Sequence, residues 1–166
     1  MSTFLLTRSE IQTLLEVPAL IPPLKDGFIH YSQRGVFPLP AAQRGSSRLL
    51  KEGSSTTVLY PGLIPNIPAY TVKVHAKFPG QNPATRGLIY LFDIETGELL
   101  AVLESGYITA VCTGVASSLA AHALSRPDAT TVAVIGAGTQ GLWQLRALAK
   151  LRFIRQIFVF DSSPFV

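Results

Sequence analysis

Apolar and polar residues follow no regular pattern in the first third of the chain, which predicts short helices and loops. Ser9 and Gln12 stand in capping-box spacing and predict a short helix over Glu10 to Val17. Three prolines follow within six residues, so a break is predicted before a second helix over Leu24 to Gln33. Residues 34–55 carry turn-forming residues and little periodicity, which predicts a loop with at most one edge strand.

Beyond residue 55, apolar runs and alternations predict six strands and two further helices. The strands are predicted at Thr56–Tyr60, Tyr70–Phe78, Leu88–Asp93, Glu98–Leu103, Thr131–Ile135 and Gln156–Phe160. The helices are predicted at Ile108–Leu124 and Gln140–Leu151. The sequence Ile-Glu-Thr-Gly between the third and fourth strands is typical of a hairpin. The last two strands are continuously apolar, as strands buried in a parallel sheet are.

This order of elements indicates an α/β chain with two domains. The first is a mixed antiparallel β domain over residues 1–125, which ends in the long helix. Residues 126–166 are predicted to form one β–α–β unit, and the spacing of Gly136, Gly138 and Gly141 between its first strand and its helix predicts the first unit of a truncated Rossmann-type dinucleotide-binding domain. A complete sheet of this kind is built from two such halves. We therefore expect one edge of the strand Thr131–Ile135 to lack a partner and to expose its backbone N–H and C=O groups.

The composition restricts the class of protein. Of the 166 residues, 48% are apolar and 14% are charged, which excludes an intrinsically disordered chain. No apolar run reaches the roughly 18 residues of a membrane span, and the N-terminus does not have the pattern of a signal peptide. The single cysteine, Cys112, excludes an internal disulfide and metal sites built on cysteine clusters. We expect a cytoplasmic protein that holds no metal and does not enter the membrane.

The net charge of +4 adds little to this picture. Four of the 14 basic residues form a cluster on the last predicted helix and just after it, at Arg146, Lys150, Arg152 and Arg155. Because no aromatic residues alternate with these charges and no nucleic-acid-binding motif is present, the cluster is typical of a solvated helix face. We expect no nucleic-acid partner.

The candidate chemistry is concentrated in the β–α–β unit, at the sequence Gly-Ala-Gly-Thr-Gln-Gly. Gly136, Gly138 and Gly141 stand in the dinucleotide-binding spacing between a predicted strand and a predicted helix. In this motif the glycines allow a tight turn, close approach of the backbone to a pyrophosphate, and close packing of the helix on the strand. The helix start near Gln140 supplies N–H groups for the phosphates. The alternative is a glycine-rich turn that binds no ligand.

An acidic residue completes the dinucleotide pattern. Asp161 lies twenty residues beyond Gly141, at the end of the next predicted strand, where a carboxylate accepts hydrogen bonds from the adenosine ribose. Two serines follow it and no arginine, which favours NAD over NADP.

A second group of polar residues lies on the predicted strand Tyr70–Phe78. Alternation along the strand places Lys73, His75 and Lys77 on one face and apolar residues on the other. Three potential cations on one face suit a substrate carboxylate or a carbonyl that is polarised during hydride transfer. The alternative is an ordinary half-solvated strand.

Several segments of the chain resemble the ornithine cyclodeaminase and mu-crystallin family. They are Tyr70–Gly80 (YTVKVHAKFPG), Arg86-Gly87, Leu91–Gly97 (LFDIETG), Thr109–Gly114 (TAVCTG), the turn Arg126-Pro-Asp and Val134–Gly141 (VIGAGTQG). The resemblance is strong over residues 55–161 and looser toward the N-terminus. It implies an NAD(P)-dependent enzyme that moves a hydride between the nicotinamide and the α-carbon of an amino acid or its cyclic imine. It also implies that the β domain over residues 1–125 carries the substrate site and forms the contact of a homodimer.

The resemblance also implies roles for individual residues. Lys73 matches the family's active-site lysine, which contacts the substrate carboxylate and the reacting centre. Arg44, or alternatively Arg48, matches an arginine that binds the same carboxylate. The positions that match cofactor contacts are Thr85, Thr139, Gln140 and Asp161.

Two departures from the family pattern bear on activity. Cys112 stands where the family has a carboxylate-binding arginine at the start of the long helix, and its loss removes a charge-assisted pair. A thiolate at that helix start is the functional interpretation of Cys112, and an inert buried thiol is the alternative.

The second departure is the length of the chain. Family members are about twice as long, since a complete sheet needs both halves. We therefore expect weak or no catalysis from the chain as it stands. The alternatives are a non-catalytic, mu-crystallin-like binding protein and a truncated fragment that does not function alone.

Overall fold

The computed structural model describes residues 2–33, 44–45, 57–64, 66–78 and 80–163. The chain divides into two compact units, one formed by Met1–Leu14 and Arg34–Ile108 and the other by Leu15–Gln33 and Thr109–Val166. The architecture is α/β, as predicted, with a mixed sheet in the first unit and a β–α–β unit in the second. The assignment of substrate binding to residues 1–125 and of the cofactor to residues 126–166 stays a prediction.

The first unit is built on a six-stranded sheet. Its strands are β1 (Phe4–Leu6), β2 (Arg44–Gly45), β3 (Thr57–Leu63), β4 (Ala69–Lys77), β5 (Thr85–Asp93) and β6 (Leu99–Glu104). Their order in the sheet is β1-β6-β5-β4-β3-β2, antiparallel throughout except for the parallel pair of β1 and β6. The strands predicted between residues 56 and 103 are confirmed, and β2 is the edge strand expected within residues 34–55. The sequence did not predict β1.

The hairpin between β5 and β6 is confirmed, and a carboxylate holds its turn. Asp93 Oδ1 accepts hydrogen bonds from the N–H groups of Glu95 and Thr96, at 2.9 and 2.8 Å. Gly97 then adopts a φ of +72°, a conformation that a residue with a side chain rarely takes.

The N-terminal helix begins at Arg8, before the predicted start at Glu10. Helix α1 spans Arg8–Leu14, and the capping box is formed by Thr7 and Glu10. The Thr7 N–H donates to the Glu10 carboxylate at 2.8 Å, and the Glu10 N–H donates to the Thr7 hydroxyl at 3.4 Å. The prediction of Ser9 and Gln12 is wrong because Thr-x-x-Glu has the same spacing with a charged and therefore stronger acceptor.

The predicted break before residue 24 is also wrong. Helix α2 runs continuously over Val17–Gln33 with Pro22 and Pro23 inside it. Proline removes a hydrogen-bond donor, but its fixed φ near −65° is that of a helix. The two prolines therefore leave carbonyl groups in the preceding turn without their usual partners, but the helix continues past them.

The second unit combines α2 with a β–α–β unit. Its elements are most of α3 (Ser105–Leu124), β7 (Thr131–Ile135), α4 (Thr139–Leu151) and β8 (Gln156–Phe160). Helices α3 and α4 pack closely because Gly114 has no side chain, and a Cβ there would lie 2.6 Å from Trp143 Cβ. The buried Ser118 hydroxyl lies 2.8 Å from the Gly114 carbonyl and 2.7 Å from the Gln144 carbonyl, which joins the two helices.

The strands of the β–α–β unit have their predicted bounds and pair in parallel, from Thr131 opposite Gln156 to Ile135 opposite Phe160. Among the described residues β7 pairs with β8 alone, so its other edge lacks a partner, as expected. The expectation of fully buried strands is wrong. Side chains alternate between half-buried and exposed along β7, and every side chain of β8 is exposed. The reason is that, within the described residues, the sheet has only these two strands and no helix buries the side chains of β8.

Helix α3 also bears on the membrane question. Within the described ranges it is the one helix with the length and mean hydropathy (1.3) of a membrane span, a test that core helices of soluble proteins also pass. The expectation that the chain does not enter the membrane stays a prediction.

Candidate functional site

The loop between β7 and α4 has the conformation that its glycines predict. Gly136 adopts a φ of +94°, which turns the chain directly after the strand, and its N–H donates to the Phe160 carbonyl at 2.8 Å. Gly138 is the N-terminal cap of α4, and no side chain caps the helix. The first N–H groups of α4 therefore remain available to an anion, at the positive end of the helix dipole.

The second and third glycines differ in what surrounds them. A Cβ on Gly141 would overlap the carbonyl oxygen of Gly136 and lie 3.1 Å from Val134 Cγ1, so a glycine is required for α4 to pack on β7. A Cβ on Gly138 would have no heavy atom within 4 Å. Gly138 therefore leaves open space in front of the helix N-terminus, where a pyrophosphate approaches the backbone in such loops.

A cavity of about 600 Å³ lies along this loop in the second unit. Five of the predicted cofactor residues line it, namely Gly136, Gly138, Thr139, Gln140 and Gly141. The remainder is lined by β7, by the small side chains of Ser117, Ser118 and Ala121 from α3, and by Gln144, Leu145 and Leu148 from α4. The size is within the usual range of ligand sites.

Asp161 lies beside the loop at the end of β8. Its Oδ1 accepts the Ser163 N–H and its Oδ2 accepts the Ala137 N–H, both at 2.7 Å. These bonds, first from Ser163 and then from Ala137, lower the pKa of the carboxyl below its usual range. The stabilisation they give is present above the carboxyl's ordinary pKa and is lost as the pH falls through the lowered one. At neutral pH, Asp161 is therefore an ionised acceptor with lone pairs left for a ligand.

The second candidate group lies on the sheet of the first unit. Lys73 is half-buried on β4, opposite Tyr60 of β3 and Ile89 of β5. Lys77 is exposed at the end of the strand, opposite Thr85. Because directly paired residues share a face of a sheet, Lys73 and Thr85, two of the predicted site residues, lie on the same face.

His75 lies between the two lysines and has unusual neighbours. Its ring packs edge-on against the Tyr60 ring, with centroids 5.4 Å apart. Its partner across the sheet is Gly87, where a Cβ would lie 2.7 Å from His75 Cβ and overlap the Val74 carbonyl. Burial, and secondarily the positive charge of Lys73, lower the pKa of His75. The imidazole is therefore neutral at pH 7.

The other predicted site residues are Arg44, Arg48 and Cys112. Arg44 forms a backbone pair with Val58 in β2, and the structure describes nothing of its side chain. Arg48 lies outside the described residues. Cys112 is half-buried two turns into α3, because the helix begins at Ser105 and not at residue 108. The predicted influence of the helix dipole on its thiol is therefore wrong, since this effect fades beyond the first turn.

The prediction from sequence missed two residues that share the sheet face of Lys73 and His75, namely Tyr60 of β3 and Gly87 of β5. The signal that could have found them is the strand register, since Tyr60 pairs with Lys73 and Gly87 pairs with His75. Register across three strands depends on the lengths of two connections, which the sequence pattern alone does not fix.

Comparison with known proteins identifies the group to which this geometry belongs. The family model described as "Ornithine cyclodeaminase/mu-crystallin family" matches residues 1–165. The Delta(1)-pyrroline-2-carboxylate reductase of Bacillus thuringiensis is 30% identical over 124 residues, which are 72% of this chain and 38% of that protein.

Two solved structures are also similar. The Thermococcus litoralis Delta(1)-pyrroline-2-carboxylate reductase, in complex with NADH and L-proline, has a TM-score of 0.86 and 28% identity, over 98% of this chain and 50% of that one. An archaeal alanine dehydrogenase dimer with bound NAD has a TM-score of 0.80 and 28% identity, over 97% of this chain and 49% of the other. The chain thus spans half or less of the length of these relatives.

Proposed function

The chain belongs to the ornithine cyclodeaminase/mu-crystallin family, and from this premise we propose that it binds NAD(H) on the loop between β7 and α4. The observation that carries the proposal is the uncapped N-terminus of α4 behind Gly138, with the ionised Asp161 beside it. In this proposal the backbone N–H groups of Gly138, Thr139 and Gln140 donate to the pyrophosphate, as N–H groups at helix N-termini do in such sites. The NAD-bound and NADH-bound relatives support the choice of cofactor.

The reaction we propose is hydride transfer to or from the α-carbon of an amino acid or its cyclic imine. Bound NAD(H) supplies or accepts the hydride. Lys73 is the residue of this chain proposed to hold the substrate carboxylate and polarise the reacting carbon. Its place on β4 beside the half-buried His75 supports this role, as do relatives named for alanine and pyrroline-carboxylate chemistry.

Replacement of Asp161 tests the cofactor assignment. We expect Asp161→Asn to weaken NADH binding about tenfold, because a neutral amide accepts the ribose hydroxyls less strongly than a carboxylate. NADPH binding should weaken less or improve, since the change removes repulsion of the 2′-phosphate. Fluorescence titration with both nucleotides measures the two affinities, and Asp128→Asn on an exposed turn is the matched control. Equal loss for NADH and NADPH would contradict the assignment.

Replacement of Lys73 tests the substrate assignment. We expect Lys73→Met to weaken binding of L-alanine and L-proline, in the presence of NADH, by about a hundredfold, because a charge-assisted contact with the carboxylate is lost. Lys150→Met, which removes an exposed lysine from α4, should leave both affinities unchanged. Titration calorimetry measures the affinities of both variants for L-alanine and L-proline. Unchanged binding by the Lys73 variant would remove it from the site.

We also propose a homodimer through the face of the sheet opposite Lys73. Tyr70, Phe92 and Tyr90 stack along that face, with ring centroids 5.0 and 6.5 Å apart. Leu59, Leu63 and Leu88 share the face by register and are 40–51% exposed. Contiguous exposed apolar surface of this kind is typical of interfaces.

Sedimentation velocity tests the dimer. We expect a dimer for the unchanged chain and a monomer for Leu88→Glu, because a buried unpaired carboxylate opposes association. Leu124→Glu, at the exposed end of α3, should remain dimeric. A dimeric Leu88→Glu variant would assign the contact to another surface.

One observation favours a second function, ligand binding without turnover. The resemblance of Thr109–Gly114 to the family pattern implies that Cys112 replaces a carboxylate-binding arginine, which would leave this chain one fewer cation for the substrate. Two results together would support the binding protein: NAD⁺ and an amino acid bind without formation of NADH, and NADH and a cyclic imine bind without loss of NADH absorbance. Turnover would support the enzyme.

A further inference from the structure

His75 has hydrogen-bonding capacity that the protein leaves unused. Its Nδ1 is buried and has no hydrogen-bond partner among the described residues. A buried polar atom without a partner costs about 1–3 kcal/mol, so such atoms point to a role that compensates for the loss. Gly87, directly opposite, leaves the sheet without a side chain beside the ring.

The charges around His75 define which ligand could satisfy it. Lys73 and Lys77 flank it on the same face of β4. Among the positions that share this face on β3, β5 and β6, one is acidic, namely Asp93 at the far end of β5, where its carboxylate holds a turn, and the others are apolar or uncharged. Arg44 of β2 is in register with His75 through Val58. Within the described sheet, this face therefore attracts anions and repels a second ammonium group.

We propose that His75 binds a second acidic group of the substrate, so that the chain prefers dicarboxylic amino or imino acids to apolar and diamino acids. The inference rests on the proposed function, in which Lys73 holds the α-carboxylate. Residues two apart on a strand are about 6.6 Å apart, a separation that a short dicarboxylate with one acidic group at each residue can bridge. A diamino acid would place its distal ammonium among the two lysines and His75.

Binding of the second acidic group also couples to a proton. The neutral imidazole faces Tyr60 from β3, the uncharged Thr85 and Gly87 from β5, and Lys73 and Lys77 on its own strand. An anion at Nδ1 favours the imidazolium, so the pKa of His75 should rise on binding. The dicarboxylate should then bind with uptake of a proton and more weakly as the pH rises.

Imidazole NMR and calorimetry on the unmodified chain with NADH test the inference. The probes are L-aspartate, L-alanine and L-ornithine. We expect aspartate to bind at least about tenfold more tightly than alanine, ornithine to bind most weakly, and aspartate to raise the pKa of His75 by about one unit. Calorimetry in buffers of different ionisation enthalpy should show proton uptake with aspartate and none with alanine. Variants at His30 and His122, the other two histidines, assign the signals.

Variants separate recognition from folding. His75→Asn keeps a polar atom near the Nδ1 position but cannot gain a charge, so in this variant aspartate should lose its preference over alanine and its proton uptake. His122→Asn, on exposed α3 surface, should change none of these. Should His75→Asn not fold, as judged by circular dichroism, the His75 titration in the unmodified chain decides.

Equal or weaker binding of aspartate, or an unchanged pKa of His75 on its binding, would overturn the inference. NADH binding in the same samples separates the two proposals. If NADH binds but aspartate is not preferred, only the inference about the second acidic group is contradicted. If NADH does not bind, the proposed function is contradicted as well.

Discussion

Gly141→Ala is expected to lose about 3 kcal/mol of stability and all measurable NADH binding. The added Cβ would overlap the Gly136 carbonyl oxygen and press on Val134 Cγ1, so α4 must move away from β7. Overlap with backbone cannot be relieved by a side-chain rotation. The expected fall in melting temperature is roughly 10 °C, measured by calorimetric or circular-dichroism melting.

Gly27→Ala is the matched control for this loss. Gly27 lies in α2 of the same unit, and a Cβ there meets no atom within 4 Å. Alanine is favoured over glycine in a helix, so this variant should be as stable as the unchanged chain or slightly more. A melting temperature of Gly141→Ala within 2 °C of the unchanged chain would show that the close packing of α4 on β7 is not required.

Gly138→Ala is expected to keep the fold and to weaken NADH binding by about a hundredfold, or about 2.7 kcal/mol. The φ of −67° and ψ of −169° at Gly138 suit alanine, and the new methyl group enters open space. The melting temperature should therefore stay the same or rise, because the unfolded chain loses freedom. In the bound state, however, the methyl would occupy the space through which the pyrophosphate reaches the backbone.

The contrast between Gly138 and Gly141 distinguishes a ligand site from a structural turn. A turn without a ligand gives no reason for a glycine at position 138, since alanine fits its conformation and surroundings. Fluorescence titration of Gly138→Ala with NADH, beside its melting curve, makes the test. Unchanged NADH affinity in a folded variant would support the turn that binds no ligand.

The sequence predicts the conformation of the loop between β7 and α4 well because its signals are local. The positions of Gly136, Gly138 and Gly141 fix the turn, the open approach and the helix packing within a few residues, and the structure has the strand and helix at those positions. Asp161 follows from the same unit, since the carboxyl ends of neighbouring parallel strands meet at one edge. The bounds of β7 and β8 are as predicted for the same reason.

Features that depend on distant residues were harder to predict. The pairing of Tyr60 with Lys73 and of Gly87 with His75 requires the register of three strands, which their connections set. The exposure of β8 depends on what covers the sheet, and an apolar strand has the same sequence whether covered or not. Helix α2 continues through two prolines although local propensity opposes it.

Calorimetric titration of the chain with NADH and with ADP-ribose tests the central claim most directly. In the proposed binding mode, the loop, the N-terminus of α4 and Asp161 hold the adenosine and pyrophosphate part of the dinucleotide. The account predicts saturable one-to-one binding of both compounds with affinities within about tenfold of each other, lost together in Gly138→Ala. Absence of heat from either compound at millimolar concentration, in a chain shown to be folded by circular dichroism, would contradict it.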